Sequence, residues 1–298
     1  MGARAVYLTY IPQPPLSSFV EHFWLTEEHD QPFTREVALP SGNTQLIIQL
    51  EGDPQRIVTQ RGSRHERVFP ESLVRGPGAN WYLLNAGHRM LRLGVLFKPG
   101  GAYPFFRPPM SELRDAHEPL EALWGAQARE LRERLLGPEA PDERFHLVER
   151  FLLAQAVRPL IYHPAVVYAL QMFQPGNGAY SIAEVVEQVN FSHRQFIALF
   201  RESVGLAPKQ YVCLRRFLRA ARNAYDDTSV AWNDLALRFG YSDQAHLCNE
   251  FRAFSGLTPG SYLKHRHPQF STYIPLPAED DIDLLMHRRG EAFLSPKD

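Results

Sequence analysis

Cysteine is nearly absent from this 298-residue chain. Cys213 and Cys248 form neither a C-x-x-C pair nor the even set of a disulfide framework, so a reducing compartment is the expectation. Neither has an activating base beside it in the sequence, which argues against thiolate catalysis. Long apolar runs are missing too. Nowhere do roughly 18 uncharged apolar residues follow one another, and Met1-Gly-Ala-Arg-Ala-Val-Tyr7 lacks the apolar core of a signal peptide. The chain therefore reads as soluble and cytoplasmic, with no membrane partner. Neither sign of charge is in excess: 32 basic residues face 33 acidic ones, for a net charge of −1, so the bulk composition announces no polyanionic partner. Metal-ligand spacing is also lacking. His22, His29, His65 and His88 stand isolated in the β-rich part of the sequence, and His265-x-His267 falls in the polar exit of the last helical segment. No metal or other cofactor is expected.

What the chain does have is an internal repeat. Phe200-Arg-Glu-Ser-Val-Gly205-Leu206-Ala-Pro208-Lys-Gln-Tyr211 returns as Phe251-Arg-Ala-Phe-Ser-Gly256-Leu257-Thr-Pro259-Gly-Ser-Tyr262, at a constant offset of 51 residues. Apolar anchors and turn residues copied together mark a copied supersecondary element. Charge is also unevenly distributed. From Ser192 to Tyr225 the basic residues are Arg194, Arg201, Lys209, Arg215, Arg216, Arg219 and Arg222, against the single acid Glu202. Such a surface fits a phosphate partner, and equally a solvated helix face.

The length favours two domains. Thr44–Leu50 and Met90–Phe97 are short apolar or alternating runs bounded by Gly and Pro, and Arg56–Val58 and Trp81–Leu84 are weaker strand candidates. They predict an antiparallel β-barrel or sandwich over about residues 7–115. Beyond Pro119 the apolar period changes to helical. Leu120, Leu123, Trp124, Leu131 and Leu135 fit one helix, and Phe145, Val148, Leu152 and Ala156 fit a second after Gly137-Pro-Glu-Ala-Pro141. This connector packs either on its own sheet or in a dimer interface.

In the repeat, Ser181-Ile-Ala-Glu184 and Ser192-His-Arg-Gln195 read as capping boxes that open two short helices. Asn190 takes the left-handed turn between them, with Phe196, Leu199 and Phe200 inward. The second copy runs from Trp232 through Gly240-Tyr241-Ser242 to a helix with Leu247, Phe251 and Phe254 inward. Between the copies, Pro208 to about Tyr225 forms one helix. Tyr211, Leu214, Leu218 and Ala221 make its core stripe, and Arg215, Arg219 and Arg222 its basic edge.

The span 176–265, above all Gly240-Tyr-Ser-Asp-Gln-Ala-His-Leu-Cys-Asn-Glu-Phe-Arg252 followed by Gly256-Leu-Thr-Pro-Gly-Ser-Tyr262, resembles the AraC/XylS family of bacterial transcription regulators. Pro15–Trp24, Leu39–Leu46 and Gly94–Ala102 are similar to the N-terminal domain of uncharacterised AraC-like regulators. Together with the strand and helix patterns, the resemblance implies an α+β chain: a β-rich sensing or interaction domain over 1–117, a helical connector over 118–164 and a DNA-binding domain with two helix-turn-helix units over 165–268; the composition of 269–298 reads as a flexible tail. Subtracting the buried face of each second helix leaves His193, Arg194, Ile197, Ala198 and Arg201 in the first unit, and Gln244, Ala245, Cys248, Asn249 and Arg252 in the second, to meet DNA. Double-stranded DNA is the implied partner, and RNA polymerase, a small-molecule effector and a second copy of the chain are compatible further ones. The competing class is an enzyme on the barrel with a DNA-targeting module. An alkyl-transfer cysteine in a Pro-Cys context would mark it, and none is present.

Overall fold

The computed structural model describes residues 4–29, 35–59, 66–69, 71–85, 89–174, 180–226, 231–265 and 273–276. His65, His88, His267 and the tail beyond 276, acidic run included, lie outside them. In chain order the strands are β1 (Arg4–Tyr10), β2 (Val20–His29), β3 (Arg35–Ala38), β4 (Gln45–Gly52), β5 (Gln55–Thr59), β6 (Arg67–Phe69), β7 (Ser72–Arg75), β8 (Tyr82–Asn85), β9 (Arg89–Phe97), β10 (His117–Pro119) and β11 (Tyr273–Leu276). They form two antiparallel sheets, ordered β1-β2-β9-β4-β7-β10 and β11-β3-β8-β5-β6.

The molecule is layered, and β4 shows why. Its run Leu46-Ile47-Ile48 does not alternate because both faces of the first sheet are covered. Leu46, Ile48 and Leu50 join Val74, Leu93, Val95 and Phe97 in a core shared with the connector helices. Ile47 and Leu73 instead join Ile57, Phe69 and Leu84 between the sheets. The outer face of the second sheet, through Val37, Leu83 and the neighbouring Leu39 and Trp81, enters a third core with the C-terminal helices. Among the described residues neither sheet closes on itself. The expected barrel or sandwich is therefore an open sandwich, and three of its four edge strands are short or carry proline: β6 has three residues, β10 ends in Pro119 and β11 contains Pro275, whereas β1 runs for seven residues without one.

The connector forms α1 (Leu120–Trp124), α2 (Ala126–Leu136) and α3 (Pro141–Gln155). The first expected helix is thus two, broken where the backbone reverses at Gly125 (φ 60°, ψ −137°). Leu120, Leu131, Leu135, Phe145, Val148 and Leu152 pack on the first sheet, the self-packing alternative of the two left open by the sequence. Then follow α4 (Pro164–Met172), α5 (Ile182–Gln188), α6 (His193–Val204), α7 (Pro208–Asp226), α8 (Trp232–Arg238), α9 (Gln244–Ser255) and α10 (Pro259–His265). Part of the segment expected to be a flexible tail instead returns to the sandwich. Strand β11 pairs antiparallel with β3, Ile274 opposite Val37.

Candidate nucleic-acid interface

Helices α5 and α6 form the first helix-turn-helix unit. Ser181 and Glu184 make a reciprocal capping box at α5, and Ser192 and Gln195 make another at α6. Each satisfies backbone N–H groups that a helix start leaves unpaired. Asn190 between them sits at φ 55°. Phe196 and Phe200 are fully buried, and α6 ends on Gly205 in the left-handed conformation at φ 89°.

The second unit, α8 and α9, repeats this plan with one change. Gly240 takes the left-handed turn at φ 76°, 50 residues after Asn190, whereas α9 starts 51 residues after α6. The second turn therefore has one residue more, and the N-cap passes from serine to Asp243, whose carboxylate accepts from His246 N at 2.7 Å. That bond holds the Asp243 carboxyl below its ordinary range. Leu247 and Phe251 are buried, and Gly256 ends α9 at φ 74° as Gly205 ends α6.

The central helix α7 buries Tyr211, Leu214, Phe217, Ala220, Ala221 and Ala224. Leu218, expected in the core stripe, is only half-buried, and Phe217 takes its place, stacked with Phe254 at 5.1 Å and edge-on to Phe251 at 5.1 Å. The basic run divides by use. Arg216 turns inward: it donates to Gly240 O at 3.3 Å, pairs with Glu250 of α9 and lies 4.3 Å from the centre of the Tyr241 ring. Arg219 covers Phe239, and Arg222 pairs with Asp226 at 3.0 Å. Arg194, Arg201 and Lys209 are exposed and make no ion pair among the described residues. Sequence reasoning missed the role of Arg216 because its carboxylate partner lies 34 residues further on.

All ten residues expected to meet DNA lie on the surfaces of α6 and α9. His193, Arg194, Ala198 and Arg201 are exposed and Ile197 is half-buried; Gln244, Ala245, Asn249 and Arg252 are exposed and Cys248 is half-buried. Their shared spacing places each set of five on one helix face. Both cysteines are free thiols, and burial together with Glu250 pushes the Cys213 thiol up, away from the thiolate. Among the described residues no group of three His, Cys, Asp or Glu side chains could hold a metal, and no helix is long and apolar enough to cross a membrane.

Residues 185–265 match the family model of a helix-turn-helix domain, and residues 8–119 match that of a domain of unknown function (DUF6597). An uncharacterised HTH-type transcriptional regulator of Haemophilus influenzae is 25% identical over 125 residues, 38% of this chain and 41% of its own length. The probable transcriptional regulator LumQ of Photobacterium leiognathi is 32% identical over 82 residues, 28% of this chain and 33% of its own length. The match thus spans less than half of either relative. Among solved structures, ToxT from Vibrio cholerae superposes with a TM-score of 0.47 at 9% identity, over 81% of this chain and 98% of that one.

Proposed function

We propose, on the premise that residues 185–265 are an AraC-type helix-turn-helix domain, that the protein is a sequence-specific DNA-binding transcription regulator whose β sandwich senses an effector or meets a partner. The observation that carries this reading is the duplicated presentation. Helices α6 and α9 are both 12 residues long, each opens on a side-chain cap and ends on a left-handed glycine, and they turn equivalent five-residue faces to solvent from one 19-residue helix. A rigid link of that kind suits two successive major-groove segments, which recur about every 34 Å.

Roles follow from chemistry. Gln244 and Asn249 offer paired donor and acceptor groups to adenine edges, and Arg194 offers a bidentate donor to guanine. Ile197, Ala198, Ala245 and Cys248 suit contact with thymine methyl groups. His193, the first residue of α6, offers ring nitrogens to a base edge or phosphate, whereas Arg201 and Arg252, each one residue past a buried phenylalanine, suit phosphates. RNA polymerase, a second copy of the chain and a small-molecule effector fit as partners of such a regulator, and its DNA target places it in the cytoplasm. The domains proposed for it are 1–117, 118–164 and 165–268.

Selection from sheared bacterial DNA and a random duplex library tests this with the full-length chain. The expected result is enrichment of a sequence with two half-sites one helical turn apart. Affinity should fall with salt at a slope near −0.9 per neutralised phosphate. Folded protein that retains no duplex at low salt sinks the proposal.

A further inference from the structure

Between the two sheets, at the end marked by β7, β10 and β11, lies a cavity of about 80 Å³. That is several times the space one water needs, about 10–15 Å³, and roughly half of the 150 Å³ that admits benzene. It has room for a small group of a few heavy atoms.

Its chemistry is unusual for an interior. Arg75 on β7 is buried, and its guanidinium donates only to neutral acceptors: Tyr273 Oη at 2.7 Å, Gln55 Oε1 at 3.1 Å and Gln45 Oε1 at 3.3 Å. Among the described residues no carboxylate pairs with it, and its Nε has no hydrogen-bond partner. Beside it His117, 5% exposed, leaves both ring nitrogens unpartnered. Burial and the nearby Arg75 and Arg67 push its pKa down to about 3, so the ring is neutral and one nitrogen carries a donor. The carboxylate that lines the cavity is partly engaged: Asp115 Oδ1 accepts from Ala79 N at 2.7 Å and Asn80 N at 3.0 Å, while Oδ2 makes no hydrogen bond among the described residues and lies 3.5 Å from the Arg114 Nε that offsets its charge. Glu36 acts on Arg75 only from beyond contact, and its own carboxyl is pushed up to about 7. A buried guanidinium whose Nε is unpaired and a buried imidazole without partners both leave donors unsatisfied, and an anion in the cavity relieves both.

The cavity wall is also the seat of the DNA-binding units. Gly76, Gly78, Asn80 and Trp81 line it from the loop between β7 and β8. The same loop meets both copies of the repeat at equivalent positions. Pro77 abuts Gly205, where an added Cβ would lie 2.1 Å from Pro77 Cγ, and Trp81 abuts Gly256, where it would lie 2.5 Å from the indole. Tyr273, a third wall, follows the second unit in the chain.

We propose that this cavity binds a small oxyanion, a carboxylate or phosphate-sized group held by Arg75 and His117, and that its occupancy is passed through residues 76–82 to the two helix-turn-helix units. The coupling rests on the DNA-binding reading above, while the site itself does not.

The experiment titrates the full-length chain with inorganic phosphate, sulfate, acetate and bicarbonate at constant ionic strength, against chloride, and reads heat and thermal shift without DNA. One of these anions should bind saturably and raise the melting temperature. His117→Phe keeps the packing against Tyr82 and should remain as stable as wild type while losing at least about tenfold in anion affinity; Arg75→Gln should lose binding entirely. Absence of saturable binding beyond chloride, or equal binding by folded His117→Phe, overturns the site. In a second arm, the anion should change the affinity for a selected duplex by about fivefold or more. Anion binding with unchanged DNA affinity overturns the coupling. A chain that binds anion but no duplex upholds the site and removes the regulator reading instead.

Discussion

Gly256 lies directly beneath the indole of Trp81, so close that a Cβ built on the glycine would sit 2.5 Å from Cε2. The pair joins the end of α9 to the loop that leads into β8. Because Gly205 meets Pro77 in the same way 51 residues earlier, both ends of the repeat rest on one short segment. The core continues through this contact: Trp81, Val37, Leu39 and Leu83 share a cluster with Phe196, Phe217, Phe251 and Tyr262.

Alanine should therefore cost most at Gly256 and at Gly205 and least at Gly240. All three have φ between 74° and 89°, but only at Gly240 is the space around a Cβ open. Gly240→Ala should cost about 1–2 kcal/mol for its backbone conformation. Gly256→Ala should add about 1–3 kcal/mol of overpacking to a similar backbone cost. Urea midpoints at matched m-values check the order, and equal losses at 240 and 256 would show that the Trp81 contact gives way freely.

Arg216→Ala should loosen the second unit and spare the first. The guanidinium ties Gly240 O, the Tyr241 ring and Glu250 to the central helix, and its removal leaves Glu250 half-buried without its cation. A loss of about 1–3 kcal/mol is expected. Amide exchange should quicken over 232–255 and hold steady over 182–204. Uniform quickening in both units would contradict this assignment.

The local grammar of the repeat was legible because it is written within a few residues. Ser181 with Glu184, Ser192 with Gln195, and Asn190 at the left-handed turn lie three residues apart or less, and each occupies the position its chemistry requires. The face of α9 followed likewise from subtracting Leu247 and Phe251. What sequence could not convey is long-range. Strand β11 is a strand only because β3 offers it an edge, and nothing in Tyr-Ile-Pro-Leu specifies that partner. Strands β1 and β2, long and partly charged, lack the compact apolar pattern that revealed β4 and β9. Phe217 was passed over because the apolar stripe of α7 faces two neighbours at once, which widens it beyond a single i, i+3, i+4 row.

Glu36 gives the stability a pH dependence of predictable sign. Burial, reinforced by Glu28 and opposed by Arg92 and Arg75, pushes its carboxyl up from 4.5 to about 7. The folded state thus holds the proton more tightly than the unfolded chain, so Glu36 costs nothing below about pH 4.5 and destabilises progressively as pH rises through 7. His117, depressed from 6.5 to about 3, has the opposite slope: the unfolded chain takes up its proton first, and stability falls as pH drops through that window. Glu36→Gln should match wild type near about pH 4 and exceed it near about pH 8 by on the order of 2 kcal/mol, discounted for partial exposure. Parallel stability curves for the two proteins would show that Glu36 is ionised in the fold.

The two recognition faces should separate reading from holding. Gln244 and Asn249 are exposed on α9, carry amide groups that bond an adenine edge in two places, and have no other polar partner among the described residues. Gln244→Ala or Asn249→Ala should cost about 1–3 kcal/mol on the selected duplex and almost nothing on random DNA, with the salt slope unchanged. Arg201 is exposed near the end of α6, beside the buried Phe200, and offers only charge and donors. Arg201→Ala should weaken selected and random duplexes alike and lower the salt slope by about one unit. Binding titrations between about 50 and 200 mM salt distinguish the classes. If Asn249→Ala instead lowers the salt slope, or Arg201→Ala alters sequence preference at fixed salt, the roles assigned to these residues are wrong.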